Sequence, residues 1–216
     1  MKNIKKVITV LPKVSNLESK RKDGILNAAL KEFATKGFDD ASTNVIAKES
    51  GISKGLLFHY VNSKKDLFLF LYDYCTDMIN KEYLELMNFN EEDIFEKTRQ
   101  SYLLQIDLLQ KHPWIFEFIK ITATTKSDEI NKELEGRVNE KLVLCHKTMF
   151  DRVDESKFRK GLDVDKGKQL IFWSNIGFTN QILEDIRNSE ITDLDYDNIL
   201  AELDGYLNEL RKVFYK

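Results

Sequence analysis

Apolar residues early in the chain recur at the three- and four-residue intervals of a helix face. Leu26, Ala29, Leu30 and Phe33 form one such stripe, which stops at Gly37 and Phe38. Two much shorter segments follow. Ser42 precedes the first, where its side-chain oxygen is expected to accept from free amides two or three residues on, and Val45, Ile46 and Ala47 form its single buried stretch. Gly51 supplies the positive backbone dihedral that ends this helix, and Ala47 is small where a second helix must cross. Ser53 caps that second helix, which runs for only about seven residues before Asn62 and Ser63 and so needs packing to hold it. Ser63 caps a longer third helix.

The rest of the chain reads as further helices. One is expected from Ser63 to about Leu86, with Leu67, Phe70, Leu71, Tyr74 and Met78 on one face. Others span Glu92 to Lys111, Pro113 to Thr124 with the proline as first helical residue, and Asp128 to Val153. A charged loop from Asp154 to Asp165, containing Gly161, precedes two last helices near Lys166 to Asn188 and Asp193 to Phe214. The first of these is apolar on two sides, with Phe172, Ile176, Leu183 and Ile186 on one and Leu170, Trp173 and Gly177 on the other, so it needs two partners. Gly177 costs about 1 kcal/mol against alanine inside a helix, and a close helix crossing is a reason to keep it. Ile199, Leu203, Tyr206, Leu207, Leu210 and Phe214 recur at helical spacing in the last helix. Two prolines and nine glycines leave long stretches unbroken, and the fold class is all-α.

Charge changes this picture more than bulk composition does. The net charge of -3 hides an asymmetry: residues 1–65 hold 13 Lys or Arg against 6 Asp or Glu, which leaves 20 against 30 for the remainder. Basic residues thus concentrate around the paired short helices. With Leu57 turned inward as the anchor, Lys54, Gly55, Phe58 and His59 fall on the outer side of the second helix. A cation, a bare backbone and two rings suit the major groove of DNA, and two short helices separated by a glycine turn make a helix-turn-helix. Lys64 lies in the first turn of the next helix, where a lysine opposes the helix dipole and is better explained by an anionic partner such as a phosphate.

Other chemistry is sparse. Cys75 and Cys145 form no CxxC pair, and His146 points to a different helix face from Cys145, so no metal, cofactor or redox site is expected and both thiols read as reduced. The apolar run near the N-terminus is too short for a signal peptide and ends at Pro12, no segment could span a membrane, and a cytoplasmic chain is expected. Residues 1–19 form a basic extension carrying Lys2, Lys5, Lys6 and Lys13. It either follows the DNA backbone or minor groove, packs Val7 to Val10 on the body, or has no role.

The pattern G-F-D-x-A-S-T-x-x-I-A-x-x-x-G-I-S-K-G-x-L-F-x-Y-x-x-S-K-x-x-L, which runs from Gly37 to Leu67, resembles the N-terminal domain of the TetR family of transcriptional regulators. The likeness extends from about Lys20 to Leu71. It implies a helix-turn-helix DNA-binding domain over residues 20–66 and a helical ligand-binding and dimerisation domain over 67–216. Carried onto matched positions, it implies DNA contacts from Thr43, Asn44, Lys54, Gly55, Leu56, Phe58, His59 and Tyr60, with Lys64 on a phosphate. This chain departs from the common pattern at Leu56, Phe58 and Val61, where Thr, Tyr and Phe are frequent, so two hydroxyls that could bond phosphates are missing. No arginine lies between Ser42 and Lys65, so the motif must read DNA through Lys54, His59, thymine methyls and DNA shape.

In this family the last two helices pair with their twins in a homodimer, which places Trp173, Gly177, Leu203, Tyr206 and Leu210 at the expected interface. One short recognition helix reads few bases, and a palindromic operator supplies the second half-site. Family members also enclose a small, often apolar inducer, for which Tyr102, Trp114, Phe118, Phe150 and Phe172 are candidate contacts, and the helix from Pro113 is a candidate lever. The expected function is therefore a ligand-responsive dimeric repressor without enzymatic activity. The alternatives are a ligand-independent architectural DNA-binding protein and an enzyme with a DNA-targeting module, although no nucleophile and base are clustered in the body.

Overall fold

The computed structural model describes residues 18–135, 137, 149–188 and 195–216. The N-terminal extension up to residue 17, Cys145 and His146 lie outside the described residues, as does the side chain of Ile186. The described elements are α1 (Ser19–Asp40), α2 (Thr43–Glu49), α3 (Lys54–Tyr60), α4 (Lys64–Ile79), a π-helical turn (Asn80–Leu84), α5 (Ile94–Lys111), α6 (Ile115–Thr122), α7 (Asp128–Glu135), a short 3-10 turn (Glu155–Lys157), α8 (Val164–Asn188) and α9 (Tyr196–Phe214). Among the described residues no strand forms, and the one isolated bridge joins Phe158 to Tyr215. The all-α expectation holds.

Two compact units emerge. One gathers α1 to α4 with α6 and α7; the other gathers the π-helical turn, α5, α8 and α9. In the first unit, Ile25, Leu26, Ala29, Leu30 and Phe33 of α1 are all sealed from solvent, as their helical spacing requires. Gly37, at φ 73, breaks the helix where the stripe ends. The centre of the unit is aromatic: Phe68 of α4 meets Phe33 at 5.1 Å, Phe118 of α6 at 5.1 Å and Phe38 at 5.3 Å. On α7, Glu129 and Glu133 each lie 2.9 Å from the Lys65 ammonium, and Arg137 beyond the helix pairs with Asp73 of α4.

The second unit is organised by a buried acid. Asp93 caps α5 by accepting from the amides of Phe95 at 2.9 Å and Glu96 at 3.3 Å, and it pairs with Lys157 at 3.1 Å and Arg211 at 3.0 Å. Burial alone would raise its carboxyl pKa, but Lys157, the two amides and Arg211 together outweigh burial and hold it below the usual carboxylate range. Tyr215 packs its ring on Phe95 and Phe158, and its hydroxyl accepts from the Ile94 amide, which ties the end of the chain to the start of α5.

A depressed native pKa stabilises the fold fully above the unfolded value, and the stabilisation is lost as pH falls through the native value. Acid should therefore weaken this unit below about pH 4. Asp93→Asn is expected to lower stability at pH 7 while its urea midpoint converges on that of the unaltered protein as pH falls through the depressed native value. Midpoints that stay equally far apart across that range would remove Asp93 from the acid response.

Several boundaries differ from the sequence expectation. Pro113 sits in a turn rather than in the first helical position, because the Ile115 amide closes onto the His112 carbonyl before α6 begins. The expected helix from Asp128 to Val153 does not persist: α7 stops at Glu135, and residues 149–153 are turn and irregular backbone. Arg152 there has φ 57, which no right-handed helix accommodates. The buried Lys97 ammonium also donates to the Asp151 carbonyl at 2.9 Å, which holds that stretch open.

Candidate nucleic-acid interface

The Ser42–Ser63 segment folds as two short helices because its ends and its turn are held locally. Ser53 accepts from the Leu56 amide at 3.2 Å and caps α3, and Ser63 accepts from the Asp66 amide at 3.0 Å at the start of α4. Between α2 and α3 the chain reverses at Gly51, φ 68, with the Gly51 amide bonded to the Lys48 carbonyl and the Ile52 amide to the Ala47 carbonyl. Ser42 departs from expectation. Its hydroxyl makes no cap bond; its backbone amide donates instead to Glu32 Oε1 of α1 at 2.8 Å.

Burial separates an inner from an outer face. Ile46, Ala47, Leu57 and Val61 are enclosed, with Leu57 and Val61 at 0 % exposure. The expectation that Val45 joins the buried stretch is not met: it is 36 % exposed, because a helix that turns both Ile46 and Ala47 inward must turn Val45 outward. Asn44 is exposed beside it and Thr43 is half-buried.

On α3, Lys54, Gly55, Phe58 and His59 are exposed, while Leu56 and Tyr60 are half-buried. The Lys54 ammonium lies 6.0 Å from the Phe58 ring centroid, and the His59 ring meets Tyr60 edge-on at 5.6 Å. A β-carbon added at Gly55 would meet nothing within 4 Å, so the backbone there is open to close approach. No acidic residue lies on α3. The outer face of α3 thus offers a cation, ring edges and apolar groups with no acidic side chain of its own, while α2 adds the exposed Asn44 amide, Lys48 and the exposed Glu49 carboxylate, which lies 3.9 Å from Lys31.

Lys64 occupies a different setting. Its ammonium donates to the carbonyls of Asp39 at 3.0 Å and Ala41 at 3.1 Å and sits 4.9 Å from the Phe38 ring centroid. Two of the three donors of the ammonium are thereby engaged within the protein. Glu32, which no spacing rule singles out, is the neighbour of the motif that sequence reasoning missed, because its partner Ser42 is ten residues on and past the break at Gly37.

The candidate ligand residues divide between the two units. Trp114 and Phe118 are buried in the first. Tyr102 is buried in the second, where its hydroxyl donates to the Asn175 carbonyl at 2.7 Å and lies 2.9 Å from Thr179 Oγ1. Burial pushes the Tyr102 hydroxyl up to about 12, so it stays neutral. Phe150 meets Phe172 edge-on at 5.5 Å in the same unit. A cleft of about 330 Å³ lies elsewhere in this unit, lined by Phe95, Arg99, Asp204, Asn208 and Arg211 among others, and it is walled by the bidentate Arg99–Asp204 pair.

The candidate interface residues also separate. Trp173 is 58 % exposed and Gly177 is exposed, with Leu170 and Ile176 beside them at 49 % and 41 %. Leu203 is wholly enclosed within its own unit, and Tyr206 and Leu210 are half-buried, Tyr206 stacking on Phe178 at 5.7 Å. Among the described residues no group of three or more His, Cys, Asp or Glu side chains could hold a metal, and no helix is long and apolar enough to cross a membrane.

Comparison with known proteins converges on one class. Residues 25–71, which span α2 and α3 and parts of α1 and α4, match the family model of bacterial regulatory proteins, tetR family. The chain is 25 % identical over 155 residues to the fatty acid metabolism regulator protein of Bacillus subtilis, covering 68 % of this chain and 76 % of that protein. It is 24 % identical over 138 residues to the biofilm operon icaADBC HTH-type negative transcriptional regulator IcaR of Staphylococcus aureus, covering 64 % and 72 %. Among solved structures, the ketosteroid transcriptional regulator KstR2 of Mycobacterium tuberculosis superposes with a TM-score of 0.63 at 18 % identity over 93 % of this chain and 97 % of that one. AibR in complex with isovaleryl coenzyme A and operator DNA superposes at 0.56, with 21 % identity over 88 % and 97 %.

Proposed function

The chain belongs to the TetR family of bacterial regulatory proteins through its N-terminal domain, and on that premise we propose that it is a homodimeric repressor of transcription, bound to a palindromic operator and released by a small, largely apolar ligand. In this reading residues 20–66 bind DNA, and residues 67–216 bind the ligand and the second copy. The observation that supports it most directly is the outer face of α3, where Lys54, Gly55, Phe58 and His59 stand exposed on a helix anchored by the sealed Leu57. Thr43, Asn44, Leu56 and Tyr60 complete the DNA-facing set. Without an arginine in the motif, base reading rests on Lys54, His59 and apolar contact with thymine methyls.

The ligand class is suggested by relatives rather than by a cavity. One relative regulates fatty acid metabolism and one structural neighbour binds isovaleryl coenzyme A, so acyl thioesters are the class to try first. The candidate contacts form two separate sets, Tyr102, Phe150 and Phe172 in one unit and, as the alternative, Trp114 and Phe118 in the other.

Selection from a random duplex pool at near-physiological salt is expected to recover a palindrome. The same selection with His59→Ala should recover the same spacing with altered bases in each half-site. Acyl thioesters of graded chain length are then expected to release the selected duplex. Binding to random DNA as tight as to any selected site would favour an architectural protein that needs no ligand.

A further inference from the structure

We propose that Lys64 and Glu32 form a charge clamp on the first peptide of the helix-turn-helix and thereby set the angle of the recognition helix, so that Lys64 is a positioning residue rather than a phosphate contact. The inference rests on the reading of α2 and α3 as the DNA-binding face.

One peptide unit joins Ala41 to Ser42, and both of its polar groups are held by opposite charges. The Ala41 carbonyl accepts from the Lys64 ammonium at 3.1 Å, and the Ser42 amide donates to the Glu32 carboxylate at 2.8 Å. A peptide dipole lying between a cation at its oxygen and an anion at its N–H is stabilised at both ends. The same ammonium also takes the Asp39 carbonyl at 3.0 Å and rests over the Phe38 ring, which itself packs against Phe68.

The two charges come from outside the segment they hold. Glu32 lies on α1 before the break at Gly37, and Lys64 opens α4 directly after the segment ends. Residues 41 and 64 therefore bracket the whole of α2 and α3. A clamp at that neck fixes how both helices leave the α1 and α4 platform. Within α2, by contrast, the Ser42 hydroxyl contributes no cap bond.

The test uses the full chain, the operator recovered by selection and a random-sequence duplex of equal length. Affinities are titrated against the folded, active fraction at several salt concentrations, with thermal melts alongside. Lys64→Met is expected to weaken operator binding about tenfold, leave random-duplex binding unchanged and leave the operator salt slope unchanged. Glu32→Ala removes a negative charge and so favours DNA electrostatically, yet it is expected to weaken operator binding in the same way. This second variant carries the test where Lys64→Met does not fold.

If Lys64→Met weakens both duplexes alike and lowers the salt slope by about 0.9, the lysine is a phosphate contact and the proposal is overturned. Operator binding by Glu32→Ala as tight as that of the unaltered protein overturns it equally, even with a lowered melting temperature, because the clamp would then be structural only. Failure of the unaltered protein to distinguish operator from random duplex would instead overturn the DNA-reading premise, and the clamp with it.

Discussion

Replacing Phe68 by alanine is expected to destabilise the helix-turn-helix unit by about 3–5 kcal/mol. Phe68 is sealed from solvent, and three rings on different segments surround it: Phe33 of α1, Phe38 just past its break and Phe118 of α6. The edge-on approaches at 5.1 Å to Phe33 and 5.3 Å to Phe38 add a directional term to the area each ring buries. Truncation removes the ring that all three touch. Because α1, α4 and α6 are tied by many other buried side chains, the void closes only in part, which places the cost at the upper end of core truncations. Such a loss is comparable with the whole stability of a small domain, so DNA binding should fail with it.

The two tryptophans make this measurable unit by unit. Trp114 is buried in the unit that holds Phe68, and Trp173 stands in the other. In a Trp173→Phe background, the fluorescence of Trp114 reports unfolding of the Phe68 unit in urea. Phe68→Leu should cost less than half as much as Phe68→Ala. A loss below about 1 kcal/mol for alanine would mean that the aromatic cluster does not carry the unit.

The second large effect concerns assembly. Trp173→Asp is expected to convert the proposed homodimer to monomer and to weaken binding to a palindromic operator by at least about a hundredfold. Trp173 is more than half exposed in the single chain, and Leu170, Ile176 and the bare backbone of Gly177 extend the same outward strip of α8. Large exposed aromatic groups within an apolar strip are where interface energy concentrates, and a carboxylate at that point would be buried without a partner in the dimer. The isolated chain loses little by the change, since the indole is already 58 % exposed there. Sedimentation at micromolar concentration should therefore show a monomer, and its melting temperature should no longer rise with protein concentration. A variant that remains dimeric would move the interface off this face.

The helices, the glycine turn at Gly51, the caps at Ser53 and Ser63 and the inward anchor at Leu57 are all legible in the sequence, because a cap, a positive φ and a helical stripe depend on residues within a few positions of one another. The outer face of α3 follows from the same logic: once Leu57 points inward, helix geometry decides that Lys54, Phe58 and His59 do not. The structure departs from that logic where one residue's neighbours decide its state. Val45 lies on the outside because Ile46 and Ala47 occupy the inside, and the expected run from Asp128 to Val153 stops at Glu135, while near its far end Lys97, distant in sequence, takes the Asp151 carbonyl.

What the chain determined by itself is its local grammar: an all-α protein, a helix-turn-helix with its outward-facing residues, and a family. What only the tertiary structure decided is the pairing of groups remote in sequence. It set α6 against α1 and α4 so that Phe118 joins Phe33 and Phe68, and it enclosed Leu203 while leaving Trp173 in the open. It also turned the ammonium of Lys64 back onto carbonyls more than twenty residues earlier. The physical reason is one of range. Backbone conformation responds to neighbours along the chain, whereas burial, ion pairing and the use of a donor's capacity are settled only when separate segments compete for the same space and the same polar groups.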